Sequence, residues 1–250
     1  MDLGQLGADV TLQTTIQGTL FRVVESQEQV ATASLVDTLS EQDLLEDMLE
    51  ATKPPLHQAT KRLHYLLAAP FRYPPLHHGS RFGNTHDPAL FYGSRQVSTA
   101  LTETAYYRFV FWQGMSEPPP SGRLVTQHTA FGARYRSTRG LRLQSAHFEP
   151  YQSQLRAASS YTATQRLGSA MRSAGVEAFE YLCARTRSRA LNVALFQPVA
   201  LVSTKPLDTH PWLCETRTEQ ISFRAPRGDR FHTFPLRAFL VDGTLPQPAT

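Results

Sequence analysis

The chain has 250 residues, of which 41% are hydrophobic and 18% charged, with a mean hydropathy of −0.33. This balance excludes a disordered polar chain, a coiled coil and a disulfide scaffold. The net charge of +4 hides a split: residues 1–52 carry ten Asp/Glu against the single base Arg22, and residues 53–250 carry eleven acids against 24 bases, nearly all Arg. A basic, Arg-dominated body suits phosphates, nucleotides or nucleic acid.

The segment 19–24, TLFRVV, reads as a short strand. Residues 34–51 read as an amphipathic helix with Leu35, Leu39, Leu45, Met48 and Leu49 near one face and acids on the other. Pro54-Pro55 ends it. A second helix over 57–69 turns Leu63, Leu66 and Leu67 inward and stops at Pro70. Both are expected to pack as a helical extension on the body of the domain.

From Phe71 the composition shifts to Pro, Gly, Asn and His, so 71–95 reads as loop with a short strand at 89–92. A long loop rich in aromatics is a functional loop before it is a disordered one. Ser98 opens a helix to Trp112, with Ala100, Leu101, Ala105 and Phe109 inward and Glu103 in its second turn. After the EPPPSG break at 117–122, residues 124–137 and 140–145 have strand composition. Residues 151–174 hold one or two helices, with Thr162 as an N-cap. Strands are then expected at 176–183, 191–196, 199–203, 217–224 and 235–241, with Pro198, Pro206 and Pro211 at strand ends. The class this defines is α+β, with helices early and mid-chain and antiparallel strands late.

Cys183 and Cys214 are the only cysteines, and neither sits in a CxxC or zinc spacing, which points to a reducing compartment. No stretch approaches the roughly 18 apolar residues of a membrane helix. The first residues lack the basic and apolar regions of a secretory signal. The expectation is a cytoplasmic protein with no membrane partner. No phosphate-binding loop, dinucleotide fingerprint, HExxH or GxSxG is present, and the adjacent pair His77-His78 does not make a metal site, so none is expected.

The segment 71–103 brings Arg72, Tyr73, Arg81, Tyr92 and Glu103 into one loop–strand–helix unit. Guanidinium groups hold a pyrophosphate bidentately. Tyrosine rings stack on a base. A carboxylate hydrogen-bonds ribose hydroxyls and stabilises positive charge developing at an anomeric carbon. Together these are the parts needed to break an N-glycosidic bond. The run Arg134, Arg136, Arg139 and Arg142 is the densest basic stretch, and a nucleic-acid-binding protein is the competing reading.

The strings PFRYPPLHHGSRFG, ALFYGS and STALTETAYYR, followed by SAGVEAFEY at 173–181 and NVALFQP at 192–198, resemble the RES domain family. The resemblance runs from about Gly18 to about Val202 and is closest to the ParT-like toxins, which carry a helical N-terminal extension. It implies an ADP-ribosyltransferase-like core of antiparallel strands with flanking helices. It also implies the toxin of a toxin–antitoxin pair, with NAD as substrate and an Xre-like antitoxin as partner. Family members are NAD glycohydrolases, NAD phosphorylases or protein ADP-ribosyltransferases, so the acceptor of ADP-ribose is water, phosphate or a protein. Nucleic acid would be reached only through the antitoxin.

On that resemblance Arg72 and Tyr73 match the first Arg-Tyr of the NAD cleft, and Arg81 matches an Arg that binds NAD phosphate. Tyr92 matches the Tyr beside the nicotinamide ribose, and Glu103 matches the catalytic Glu. Cys183 stands where the family has the Ser of its name, and the Gly pair that comes after it is replaced by Ala190-Leu191. A thiol donates a hydrogen bond less well than a hydroxyl, and a left-handed turn would resist Leu. A catalytically weakened binding partner is therefore the alternative within the family. The implied organisation is a single domain over 1–250: strand and helical extension at 18–70, NAD-binding core at 71–205 and C-terminal strands at 206–250.

Overall fold

The computed structural model describes residues 2–26, 35–226 and 230–247. Among the described residues six helices, α1 (Leu3–Ala8), α2 (Leu39–Thr52), α3 (Tyr65–Arg72), α4 (Val97–Gln113), α5 (Gln152–Leu155) and α6 (Thr162–Ser173), accompany eight strands. The strands are β1 (Thr14–Glu25), β2 (Phe91–Ser94), β3 (Leu124–Arg142), β4 (Ala178–Leu182), β5 (Leu191–Leu195), β6 (Thr209–Thr216), β7 (Gln220–Arg224) and β8 (Phe231–Pro235). All pairings are antiparallel except β3 with β4. The α+β expectation is met.

The sheet runs β1-β2-β5-β4-β3-β6-β7-β8, and β1 also pairs with β3. The first five strands therefore return on themselves as a ring, and β6–β8 continue as a wing. The 19-residue β3 makes this possible. Its first half pairs with β6, most of its length pairs with β1, and residues 140–142 run parallel to β4. Gly140 pairs with Thr14 of β1 and Ala178 of β4, and its missing Cβ makes room there, since a Cβ would meet an Ile16 side-chain carbon at 2.4 Å. The expected break before 140 is therefore absent, and one long strand replaces two.

Helix α4 has two faces. Leu101, Ala105 and Phe109 are buried against the wing, where Trp212 and Phe223 are also fully buried. Burying such side chains contributes roughly 1.5–3 kcal/mol each. Ala100, Glu103, Thr104 and Tyr107, at i, i+3, i+4 and i+7, line a cavity on the other face. One side of the helix is thus anchored by the core while the other carries polar groups.

Several elements depart from the sequence expectation. The helix expected over 57–69 is a 3-10 turn (Gln58–Thr60) followed by α3, because the His57 and His64 rings each accept a backbone N–H and start a new turn. Pro70 lies inside α3 and does not stop it. Thr162 is the first residue of α6 and Tyr161 its N-cap. The strand expected at 199–203 is a 3-10 turn (Pro198–Ala200) opened by its proline, with one bridge from Leu201 to Tyr135. The strand expected at 235–241 lies earlier, as β8, and 236–238 is a 3-10 turn. Strand β6 crosses Pro211, tolerated because β7 pairs only from Leu213 onward and Pro211 faces no partner on that side.

The acidic helix corrects the expectation of packing. Ser34 lies outside the described residues. Helix α2 starts at Leu39 on a Thr38–Glu41 capping box. Most of its expected apolar face is not buried: Leu35, Leu39, Met48 and Leu49 are exposed, Leu39 by 85%, and Leu45 is only partly covered. Among the described residues no helix is long and apolar enough to cross a membrane.

His128 on β3 is buried with its Nδ1 unpartnered, and its Nε2 lies 3.0 Å from Thr126 Oγ1. Burial, helped by the nearby Arg108 cation, pulls its pKa from 6.5 down to about 4. The folded state therefore holds neutral His128, and between pH 6.5 and 4 the unfolded chain takes up the extra proton. Stability contributed by this residue is present above pH 6.5 and lost as pH falls toward 4, by roughly 3 kcal/mol. Urea unfolding across this range is expected to show a shallower pH slope for His128→Gln than for the wild type.

Candidate active site

The turn that opens the site is HGSRFG, residues 78–83. Gly79 has φ +70°, and a Cβ there would lie 2.4 Å from the Gly83 carbonyl oxygen, so only glycine fits. Ser80 and Gly83 then bridge. The turn is pinned from β2: the Tyr92 hydroxyl lies 2.9 Å from Ser80 Oγ and accepts the Phe82 N–H at 3.1 Å. Gly168 of α6 lets the turn dock, because a Cβ there would meet Phe82 O at 2.0 Å. Phe82 is fully buried against Phe179 and Tyr181. Arg81, between these anchors, is thereby aimed into a cavity of about 420 Å³.

Glu103 enters the same cavity from α4. Its Oε1 accepts two bonds, from Asn192 Nδ2 at 2.7 Å and from Cys183 Sγ at 3.0 Å. Ser94 donates to Asn192 Oδ1 at 2.7 Å, which fixes the amide so that its N–H₂ faces the carboxylate. Oε2 has no protein partner among the described residues. Cys183 is fully buried just behind the cavity. Burial, the Glu103 charge and the bond to it push the thiol well above its ordinary range, so it remains an S–H donor.

Three guanidinium groups line this cavity with Glu103: Arg22, Arg81 and Arg185. Arg81 donates to the Ala157 carbonyl at 2.8 Å and stacks on Tyr161 at 4.6 Å. Arg185 donates to Ala158 O and Tyr161 Oη and lies 3.5 Å from the centre of the Tyr106 ring. Arg22, on β1, donates to Tyr92 O at 2.8 Å, while its Nε is sealed from solvent and bonded to nothing. Burial lowers its pKa to about 10, so it stays charged near neutral pH. No carboxylate of the described residues pairs with any of the three.

Of the residues expected at the site, Arg81, Tyr92 and Glu103 are brought together here. Cys183 meets Glu103 and not the cavity surface. Arg72 is elsewhere: it pairs with Glu50 of α2 at 2.7 Å and donates to Pro54 O at 2.5 Å. Tyr73 lines a second cavity of about 400 Å³, which shares Arg22, Leu76, Gly79, Ser80 and Tyr92 with the first. Sequence reading missed Arg22, Arg185, Asn192 and Ser94. Only Arg22 left a trace, as the single base in the acidic first fifth of the chain.

The replaced glycine pair causes no strain. Among the described residues Asp242 is the only non-glycine with positive φ, so Ala190 and Leu191 sit in ordinary backbone. Leu191 begins β5, and Ala190 O accepts the Cys183 N–H at 2.8 Å.

The RES domain family model matches residues 55–233. The chain belongs to the RES domain family. RES domains are associated with toxin–antitoxin systems, in which they are paired with an antitoxin, and the family is generally NAD-related. No curated protein matches the chain.

Cys183 and Cys214 are both free and buried, and burial raises both thiols. A thiol-counting reagent at pH 8 is expected to titrate neither cysteine in the native protein and both after denaturation. Rapid native labelling of Cys183 would contradict its place behind Glu103.

Proposed function

We propose that this protein is the toxin of a toxin–antitoxin pair and cleaves the nicotinamide–ribose bond of NAD. The observation that carries this reading is the Glu103 carboxylate, held by two donors through one oxygen in a cavity lined by three guanidinium groups. Three cations against one anion leave two positive charges, which match the two negative charges of a pyrophosphate. The positively charged nicotinamide ring then belongs near Glu103.

In this mechanism Arg22 and Arg81 hold the pyrophosphate. The Tyr92 hydroxyl is taken by the 80–82 turn, so its ring packs against the nicotinamide ribose. Glu103 Oε2, free of protein bonds, hydrogen-bonds the ribose and stabilises the oxocarbenium as the C1′–N bond breaks. The bonding pair goes to the ring nitrogen and nicotinamide leaves neutral. Water, phosphate or a protein side chain attacks C1′; with water, NAD yields ADP-ribose, nicotinamide and a proton. Cys183 and Asn192 act through Glu103 by orienting it. Arg72 acts at a distance by tying α3 to the extension, and Tyr73 borders the adjoining cavity. No metal is required by this chemistry.

The Cys183 thiol donates to Glu103 from an unstrained backbone, which favours an active enzyme over a weakened binding partner. An Xre-like antitoxin is the proposed partner, and an acidic or carboxylate-ended segment would plug a cavity of this charge. Nucleic acid would be contacted only through that antitoxin.

Purified wild type is expected to release nicotinamide from NAD, and Glu103→Gln to lose at least about a hundredfold of that rate while still binding NAD. Cys183→Ser is expected to keep wild-type turnover or exceed it, and Cys183→Ala to lower kcat. Mass spectrometry of the products with and without phosphate identifies the acceptor. Undiminished turnover in Glu103→Gln would overturn the assignment.

A further inference from the structure

Helix α2 covers one side and leaves another bare. Gln42 is buried and Leu45 half-buried on the first. Leu44 and Met48, at i and i+4 on the second, are 61% and 60% exposed. Ala51 extends this stripe by one turn and is also exposed. The helix carries five acids, Glu41, Asp43, Glu46, Asp47 and Glu50, and no base. Among the described residues only Glu50 has a cation beside it, Arg72 and Lys53.

A surface of the opposite character lies on the body of the domain. Arg134 and Arg136 alternate with the buried Tyr135 and Ser137 along β3, so both stand on the outer face of the sheet. Across from them β1 offers only Thr19 and Gln17. On the other edge Leu201 bridges to Tyr135, which places Val202 beside Arg134 on the same outer face. The Val202 N–H donates to Arg134 O at 2.9 Å, and Ser203 Oγ accepts the Arg134 N–H at 3.0 Å, so this alignment is fixed. Val199 and Val202 are 70% and 54% exposed, and Lys205 follows in the open. Among the described residues no carboxylate pairs with Arg134, Arg136 or Lys205. The surface is apolar and cationic where α2 is apolar and anionic.

Helix α2 does not reach this surface in its own chain. Its last turn is tied to Arg72, and Pro54-Pro55 stiffen its exit. We propose that the protein forms a homodimer in which α2 of each copy docks on the basic β3 surface of the other. A second copy is the occupant because one chain carries both halves of the contact, with opposite charge. The two surfaces also lie near each other. Residues 53–57 alone separate α2 from the 3-10 turn Gln58–Thr60, which packs against the turn Pro198–Ala200 that holds Val199. Five residues span at most about 18 Å. Two copies related by a two-fold axis therefore exchange helices: Leu44 and Met48 cover Val199 and Val202, while Asp43 and Asp47 meet Arg134, Arg136 and Lys205. The role this gives α2 lies outside the family domain, which begins at residue 55.

Sedimentation velocity of the purified full chain is expected to show a dimer whose affinity falls at least about tenfold between about 0.05 and 0.5 M salt. Asp43→Lys with Asp47→Lys, and separately Arg134→Glu with Arg136→Glu, are each expected to sediment as monomers, since like charges then face each other. Mixed one to one, the two variants are expected to recover the dimer, because each helix meets the opposite charge on its new partner. All four positions are exposed and none lines the Glu103 cavity. A wild-type monomer at low salt, a dimer that neither pair of substitutions disturbs, or a mixture that stays monomeric overturns the proposal. Monomeric wild type that binds duplex DNA through Arg134 and Arg136 overturns it too, giving the basic surface to nucleic acid. If either variant fails to fold, chains carrying Met48→Cys and chains carrying Val202→Cys are mixed with a short bismaleimide. The native cysteines are buried, so a cross-linked dimer in the mixture alone is the expected result. No cross-link, or equal cross-linking within one variant by itself, overturns the arrangement.

Discussion

One carboxylate oxygen, Glu103 Oε1, accepts bonds from two separate parts of the chain, and the site depends on that convergence. The carboxylate rides on α4, which the core clamps through Leu101, Ala105 and Phe109. Its donors come from β5 and from the turn after β4. Ser94 of β2 orients one of those donors, so three strands and a helix must be in register at once. A one-residue slip of β5 would send Asn192 to the opposite face of the sheet. The closed ring of five strands guards against that slip, because β5 is paired on both edges.

The parts of the site carried by a local string are legible in the sequence. Arg81 sits in a glycine-bounded turn, Tyr92 in the strand that pins it, and Glu103 in the next helix. Their relative placement needs few long-range contacts. Sequence proximity puts Arg72 with them, nine residues before Arg81, yet spacing along a Pro-rich loop carries no direction. The structure turns Arg72 back toward α2 and supplies Arg22 in its place, brought in by antiparallel pairing of β1 with β3. No periodicity in the first 26 residues announces that pairing. Asn192 and Ser94 are invisible for the same reason: each reads as an ordinary residue in a short strand until β2 meets β5.

Proline gives the clearest misreadings. Pro211 reads as a strand end and lies within β6, whereas Pro198 reads as a boundary and opens a 3-10 turn. Which outcome a proline takes depends on whether a neighbouring strand needs its missing N–H, a property of the assembled sheet. The acidic helix misleads in another way. Its leucines have the spacing of a buried face, but the family domain begins at residue 55, just beyond it, and the core is filled without that face.

The long-range closure of the ring has a consequence during synthesis. The bond from Asn192 to Glu103 joins residues 89 apart in sequence. At roughly 5–20 residues per second, about 5–20 s pass between the emergence of the helix and that of the strand that orients its carboxylate. Through that interval the nascent chain carries Arg22, Arg81 and Glu103 without the geometry that unites them. On the proposed reading, the nascent chain presents no active cleft until β5 has emerged. Truncated products of interrupted translation that end before β5 would be harmless to the cell.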